Sequence, residues 1–347
     1  MSQLSGVVQM SSPVQRTDVV VIGAGPVGLF AVFECGMLRM RCHVVDTLDM
    51  VGGQCTALYP EKPIYDIPAH PAIDGGDLIA RLEEQARPFD PVYHLGQQVV
   101  ALARTDDGWR VETSTGTRIE AKAVVVAAGA GAFGPNRPPL DGIERYEGKS
   151  VHYLVKRRMD FAGKRVVIAG GGDSAVDWAI SLSEVAERVM LVHRRAKFRA
   201  APESVSRLDQ LTRDGRVELV VPYQLAGLEG ADGRLSGVVV ETLEGERRTL
   251  EADALLPFFG LAMELGPIAE WGLNLDRNHV VVEHGTGATS VPGIFAIGDI
   301  STYPTKLKLI LTGFAEAAHA AHAIFPMVHP GEVLHFEYST TKGVPAA

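Results

Sequence analysis

Residues 18–46 read DVVVIGAGPVGLFAVFECGMLRMRCHVVD, and the order of residue types in them decides the fold. A short β-branched run is followed by the glycine cluster Gly23-Ala-Gly25-Pro-Val27-Gly28, an apolar stretch long enough for a helix, and a second apolar run ending at Asp46. That is strand, turn, helix, strand. In such a turn the first glycine permits a sharp exit from the strand. The second lets backbone approach a pyrophosphate, and the third lets helix and strand pack closely. The helix start then directs unsatisfied N–H groups and a positive dipole end at the anion. Asp46 lies 18 residues after Gly28, where a carboxylate accepts hydrogen bonds from a ribose diol. Gly23, Gly25, Val27, Gly28 and Asp46 are therefore candidate dinucleotide-binding residues.

The same unit recurs at residues 164–195, KRVVIAGGGDSAVDWAISLSEVAERVMLVHRR. Its turn is Gly170-Gly-Gly172-Asp173-Ser-Ala175, with alanine tolerated at the third position. Its second strand ends in His193-Arg194-Arg195, with Lys197 and Arg199 close behind. No acid stands where a ribose 2′-hydroxyl would be gripped. Guanidinium groups at that position suit a 2′-phosphate, so the expected cofactor is NADPH.

Between and after the two units the pattern predicts a helix over 75–87 and strands at 97–104, 109–114, 123–127, 217–221, 237–242, 254–259, 280–283 and 294–297. A further helix is expected from about Gly313. The glycine- and proline-rich segment 129–139 marks a way out of the first domain, and Gly260 a way back. The fold class is thus α/β, with two Rossmann-like, three-layer ββα dinucleotide-binding domains, one inserted in the other. The expected boundaries are 16–134 with 261–330, 135–260, and a C-terminal extension 331–347.

The chain has 347 residues, 37 of them glycine, with 46% hydrophobic and 22% charged residues, which is a folded α/β composition. A net charge of −9 argues against nucleic acid or an anionic membrane as partner. Cys35, Cys42 and Cys55 include no C-x-x-C pair, which fits a reducing cytoplasm and no metal site. His319 and His322 are read as packing or surface residues. Residues 1–15 lack the charged and apolar regions of a secretory leader.

A third signal, Ile294-Phe-Ala-Ile-Gly298-Asp299, is a strand ending in Gly-Asp ahead of a helix. With Val124-Val-Val-Ala-Ala-Gly129, Gly52-Gly53-Gln54 and the HRR-x-x-FRA run His193–Ala200, it makes the chain resemble the thioredoxin-reductase-like flavoproteins over about residues 17 to 325. The resemblance implies that the first glycine turn holds FAD and that Asp299 contacts its ribityl chain. It also implies that His193, Arg194, Arg195 and Arg199 belong to the NADPH signature.

The departures narrow the family. Thioredoxin reductases carry a redox C-x-x-C before the second glycine turn, and residues 149–160 here contain no cysteine. Five residues beyond Cys55 stands Pro60, so the glutathione-reductase spacing is absent as well. What remains resembles the thioredoxin-reductase-like (type 2) ferredoxin–NADP reductases. The stretches Gly52–Asp66 and Lys308–Ala317 are similar to theirs, and so is a tail carrying Tyr338-Ser339-Thr340. The resemblance implies that Tyr59 stacks on one flavin face and that Tyr338, or its rival Phe336, covers the other, from its own or the partner subunit of a homodimer. Gln54, Val99, Phe133 and Thr340 match further flavin-contacting positions. The activity implied is hydride transfer from NADPH to FAD and single-electron transfer to ferredoxin, or the reverse. Flavodoxin and quinones are alternative acceptors. A helix start near Thr312–Gly313 would favour the anionic reduced ring. Ferredoxin is acidic, so docking needs a basic patch, and Lys156, Arg157, Arg158, Lys306 and Lys308 are the candidates. Two rival readings are a flavin monooxygenase, on the partial echo Tyr146-x-Gly148-x-x-x-His152, and a non-catalytic FAD/NADPH redox sensor.

Overall fold

The structure, a computed structural model, describes residues 13–129 and 131–334. Its longer helices are α1 (Pro26–Met37), α2 (Gln54–Leu58), α3 (Gly75–Ala86), α4 (Asp173–Leu182), α5 (Pro202–Arg213) and α6 (Ile310–Val328). Contacts divide the chain into two units. The first takes residues up to Ala57, Pro63–Ala132 and the chain from Met263, and the second takes Leu58–Lys62 and Phe133–Ala262. The sequence pattern assigns 58–62 to the first domain and sets the crossings at 134 and 260, whereas contacts put 58–62 in the second unit and the crossings at 132 and 262. The crossing segments, Ala132–Pro135 and Leu261–Glu264, pair as a two-stranded sheet. The side chain of Phe133 lies outside the described residues.

In the first unit five parallel strands run in the order Ile294–Ala296, Ala123–Val126, Val19–Ile22, Cys42–Val45, Val92–His94. A parallel strand buried on both faces reads as a continuous apolar run, and its alternate residues serve different cores. Val19 and Val21 face the layer of α1 and α6, with Ala31, Val32, Ala317 and Ile324. Val20 and Ile22 face the other layer, an antiparallel meander of Val99–Thr105, Gly108–Thr113 and Arg118–Ala121, with Val111 and Ile119. Helix, sheet and meander are the expected three layers.

The second unit repeats the plan with four parallel strands, Val217–Val220, Arg188–Val192, Arg165–Ala169 and Ala254–Pro257. Val166 and Ile168 face α4 with Trp178 and Leu182, while Val167 and Ala169 face a second meander with Val238 and Leu250. That meander comprises Gln224–Ala231, Arg234–Glu241 and Arg247–Glu251. The pattern had shown only its middle strand. Register shifts interrupt Gln224–Ala231, and Arg247–Glu251 buries only Leu250, so neither displays clean alternation.

Candidate functional site

The first glycine turn is built as its spacing requires. Gly23 adopts φ +111°, and a Cβ on it would lie 2.3 Å from the Ala127 carbonyl oxygen. A Cβ on Gly28 would lie 1.9 Å from the Gly23 oxygen, so helix and strand meet without a side chain between them. Before Gly25 there is open space. The open space faces the start of α1, whose N–H groups no side chain caps, an arrangement that suits an anion. Asp46 ends its strand beside the turn. One carboxylate oxygen accepts the Ala24 N–H (2.6 Å) and the other the Leu48 N–H (2.8 Å). Burial raises its pKa, and these backbone donors oppose the rise.

The Gly52-Gly53-Gln54 loop is tied to this turn, since Gly52 N–H donates to the Ala24 oxygen (2.8 Å). The Gln54 amide lies 3.7 Å from where a Gly129 Cβ would stand. The Thr56 hydroxyl beside Gly52 is buried with no hydrogen-bond partner among the described residues. Cys55 is buried, and no disulfide joins the three cysteines. Val99 is buried in the meander-side core.

Gly298 and Asp299 follow the Ile294–Ala296 strand. Val27, in the first turn of α1, seats against two glycines. A Cβ on Gly298 would lie 3.4 Å from it, and one on Gly313, in the first turn of α6, 2.3 Å. The two helix starts and the Gly-Asp turn thus converge on one side chain. α6 begins at Ile310, a few residues before the expected point, and it too lacks a side-chain cap.

Behind this turn the structure holds a network that the sequence reading missed. Glu316 accepts the Gly298 N–H (2.7 Å) with one oxygen, and the Tyr303 hydroxyl (2.7 Å) and Lys306 ammonium with the other. The Lys306 and Glu316 side chains are only 6% and 10% exposed. Lys306 therefore cannot serve in a docking patch, which corrects the sequence expectation. A buried ammonium needs its counter-ion, and charge type alone gave no sign of the pairing. A cavity of 330 Å³, lined by Glu283, His284, Tyr303, Thr312, Glu316 and His319 among others, borders the network. Of the other docking candidates, Arg157 pairs with Asp160 (2.8 Å) and Arg158 with Glu184 (2.8 Å). Lys308 approaches His279 (2.7 Å), and Lys156 is exposed.

In the second unit, a Cβ on Gly170 would strike the Phe258 oxygen (2.6 Å) and Ala175 (2.9 Å), while Gly172 has open space before it. The His193 ring covers Gly171, 2.2 Å from where a Cβ would stand, and lies beside Phe198 (5.3 Å between centroids). Burial lowers the His193 pKa, and Arg194, Arg199 and Arg195 lower it further. The segment after His193 folds back on the turn. Arg199 N–H donates to the Gly171 oxygen (2.7 Å), and Asp173 accepts the Ala201 N–H (3.0 Å). Arg194, Arg195, Lys197 and Arg199 are exposed, and among the described residues no carboxylate lies within ion-pair distance of them. A positive notch thus lies beside the open glycine turn, an arrangement that suits a phosphorylated ligand.

Tyr59 packs on the α4-side core of this second unit. Its neighbour Lys62 lies 5.8 Å from its ring centroid and pairs with Asp177 (2.8 Å), and Glu61 accepts the Arg158 N–H (2.7 Å). Tyr338, Phe336 and Thr340 lie outside the described residues. Among the described residues no helix is long and apolar enough to cross a membrane, and no cluster of three or more His, Cys, Asp or Glu is placed to hold a metal ion.

One ββα unit thus carries a carboxylate beside its glycine turn and the other carries guanidinium groups beside its own. The pyridine nucleotide-disulphide oxidoreductase family model matches residues 17–323. Among solved structures, thioredoxin reductase of T. acidophilum superposes with a TM-score of 0.79 at 25% identity, covering 90% of this chain and 98% of that one. The thioredoxin reductase of Lactococcus lactis gives 0.78 at 22% identity, a likeness of fold alone. Ferredoxin–NADP reductase of Paramagnetospirillum magneticum is 68% identical over 331 residues, covering 95% of this chain and 98% of that one. That of Rhodospirillum rubrum is 64% identical over 334 residues, covering 95% and 97%. The chain belongs to the thioredoxin-reductase-like ferredoxin–NADP reductase family.

Proposed function

We propose that this enzyme exchanges electrons between NADPH and ferredoxin through FAD held in the first unit. FAD, when bound, supplies the conversion of a two-electron hydride into single-electron steps. The chain holds and orients. Asp46 is assigned to the adenosine ribose of FAD, the turn Gly23–Gly28 and the start of α1 to its pyrophosphate, and Asp299 to its ribityl chain. Gly170–Ala175 takes the pyrophosphate of NADPH, with Arg194, Arg195 and Arg199 on its 2′-phosphate. The observation that carries the reading is the contrast between the two ribose ends, a half-buried carboxylate in one unit and exposed guanidinium groups with no ion-pair partner among the described residues in the other. No residue is asked to move a proton in the hydride step.

The absence of any disulfide supports electrons leaving the flavin directly. Family likeness supports three finer assignments: a cytoplasmic homodimer, flavodoxin as a second acceptor, and Tyr59 with Tyr338 as the aromatics covering the flavin ring. The monooxygenase echo has another explanation, since Tyr146 is buried in the meander-side core of the second unit and Gly148 N–H donates to Val151 in a tight turn. The test is NADPH-dependent cytochrome c reduction by the purified protein. Ferredoxin should raise the rate strongly. Equal rates with and without it would remove ferredoxin from the scheme.

A further inference from the structure

The peptide groups of Gly298 are held on both sides by one closed ring of side chains. Its N–H donates to Glu316 (2.7 Å), and its carbonyl oxygen accepts the Ser301 hydroxyl (2.9 Å). Lys306 closes the ring by donating to Glu316 and to the Ser301 oxygen (3.3 Å). Ser301 is fully buried, and the Lys306 and Glu316 side chains nearly so. Tyr303 donates a third bond to the carboxylate, and His284 stacks on its ring at 4.6 Å. Burial, with Glu316 beside it, pushes the Tyr303 pKa up to about 12, so the phenol stays a donor.

A buried ion pair is weak evidence of stabilisation, because the cost of desolvating both charges offsets most of their attraction. Its better-attested use is to fix one geometry among several. Gly298 sits at φ +73°, in the left-handed region, packed on Val27 of the FAD-binding turn. Two hydrogen bonds on one residue fix the tilt of the two peptide planes flanking it. Those planes aim Asp299, the very next residue.

We propose that Glu316 is a positioning residue for the flavin. Held by Lys306 and Tyr303, it locks the Gly298 peptide and thereby the direction of Asp299. This rests on the reading that the Gly298–Asp299 turn faces the ribityl chain, and the test separates the two claims.

The experiment measures flavin release from diluted holoenzyme by the rise of flavin fluorescence, together with the visible band shape and the flavin midpoint potential. The paired variant Lys306→Met with Glu316→Leu removes both charges at once, so no buried ion is stranded, and takes the acceptor from Gly298. Flavin release should be about 10-fold faster or more, the loss of one bond to a charged acceptor, with a changed band shape and potential. Lys306→Met with Glu316→Gln keeps an acceptor for the Gly298 N–H and should restore release to within about 3-fold of the parent, roughly a neutral bond's difference. Affinity for 2′-phosphoadenosine, read in the second unit, should be unchanged in both. Should the leucine variant not fold, Ser301→Ala opens the ring at the carbonyl and is read in the same way. Parent-like release, band shape and potential in the folded variant would overturn the role of Glu316. Asp299→Ala is the control. If it too leaves release unchanged, the reading of the turn itself falls; if it speeds release while the Glu316 variants do not, only the Glu316 inference falls.

Discussion

At the scale of the residue, the cofactor ends proposed for the two units rest on local chemistry. Three glycines and an acid, or a glycine turn and HRR, lie within about thirty residues of one another in the sequence. Arg194 and Arg195 are the sharpest test. Replacing either by alanine removes a charge-assisted contact of roughly 1.5–3 kcal/mol. Affinity for NADPH should drop about 10–150-fold while that for NADH hardly changes. Equal losses for the two cofactors would defeat the assignment. What the sequence hid was burial and pairing. Lys306 reads like any surface lysine until Glu316, ten residues on, is seen to share its interior site. One signal was present. Glu316 falls on the face of α6 that buries Gly313, Ala317, Ala320 and Ile324, and an acid on an otherwise apolar helix face calls for a partner.

At the scale of the element, the strands of the parallel sheets are legible to within about two residues, since a strand buried on both faces needs an unbroken apolar run, except the edge strand Val92–His94, which buries only His94. Val99–Thr105, Gly108–Thr113 and the middle strand of the second meander are legible too, but Arg118–Ala121, Gln224–Ala231, Arg247–Glu251 and the hook at 58–62 are not, because half-buried alternation is easily interrupted and a five-residue docking is a tertiary event. One pair of strands carries a measurable property. His43 on Cys42–Val45 and His94 on Val92–His94 are buried side by side, with ring nitrogens 3.1 Å apart. Burial holds both pKa values below 6.5, and for His43 the His94 and Arg41 charges add to the effect. As pH falls below 6.5 the unfolded chain therefore binds protons that the folded chain refuses, and stability declines on acidification. The slope reaches at most about 1.4 kcal/mol per pH unit for each such proton. His94→Gln should be less stable at pH 7.5 by about 1 kcal/mol yet lose less between pH 7 and pH 5 in urea denaturation. Parallel pH profiles for the two proteins would exclude the pair as the source.

At the scale of the whole molecule, a chain of net charge −9 is asked to meet an acidic iron–sulfur protein, so encounter depends on local cations. With Lys306 buried and Arg157 and Arg158 already paired, Lys156 and Lys308 are the exposed candidates left from the predicted patch. Ferredoxin-dependent turnover should weaken as ionic strength rises from ~0.05 to ~0.5 M, while NADPH oxidation with ferricyanide changes less. A salt-independent ferredoxin rate would mean that docking rests on apolar contact instead. The notch of Arg194, Arg195, Lys197 and Arg199 has a practical corollary at this scale. An island of uncompensated positive charge on an acidic protein recruits whatever tetrahedral oxyanion the buffer offers. Kinetics run in phosphate or sulfate should therefore show a KM for NADPH that climbs with buffer strength at constant kcat, and the value obtained in a bulky zwitterionic buffer is the one that belongs to the enzyme.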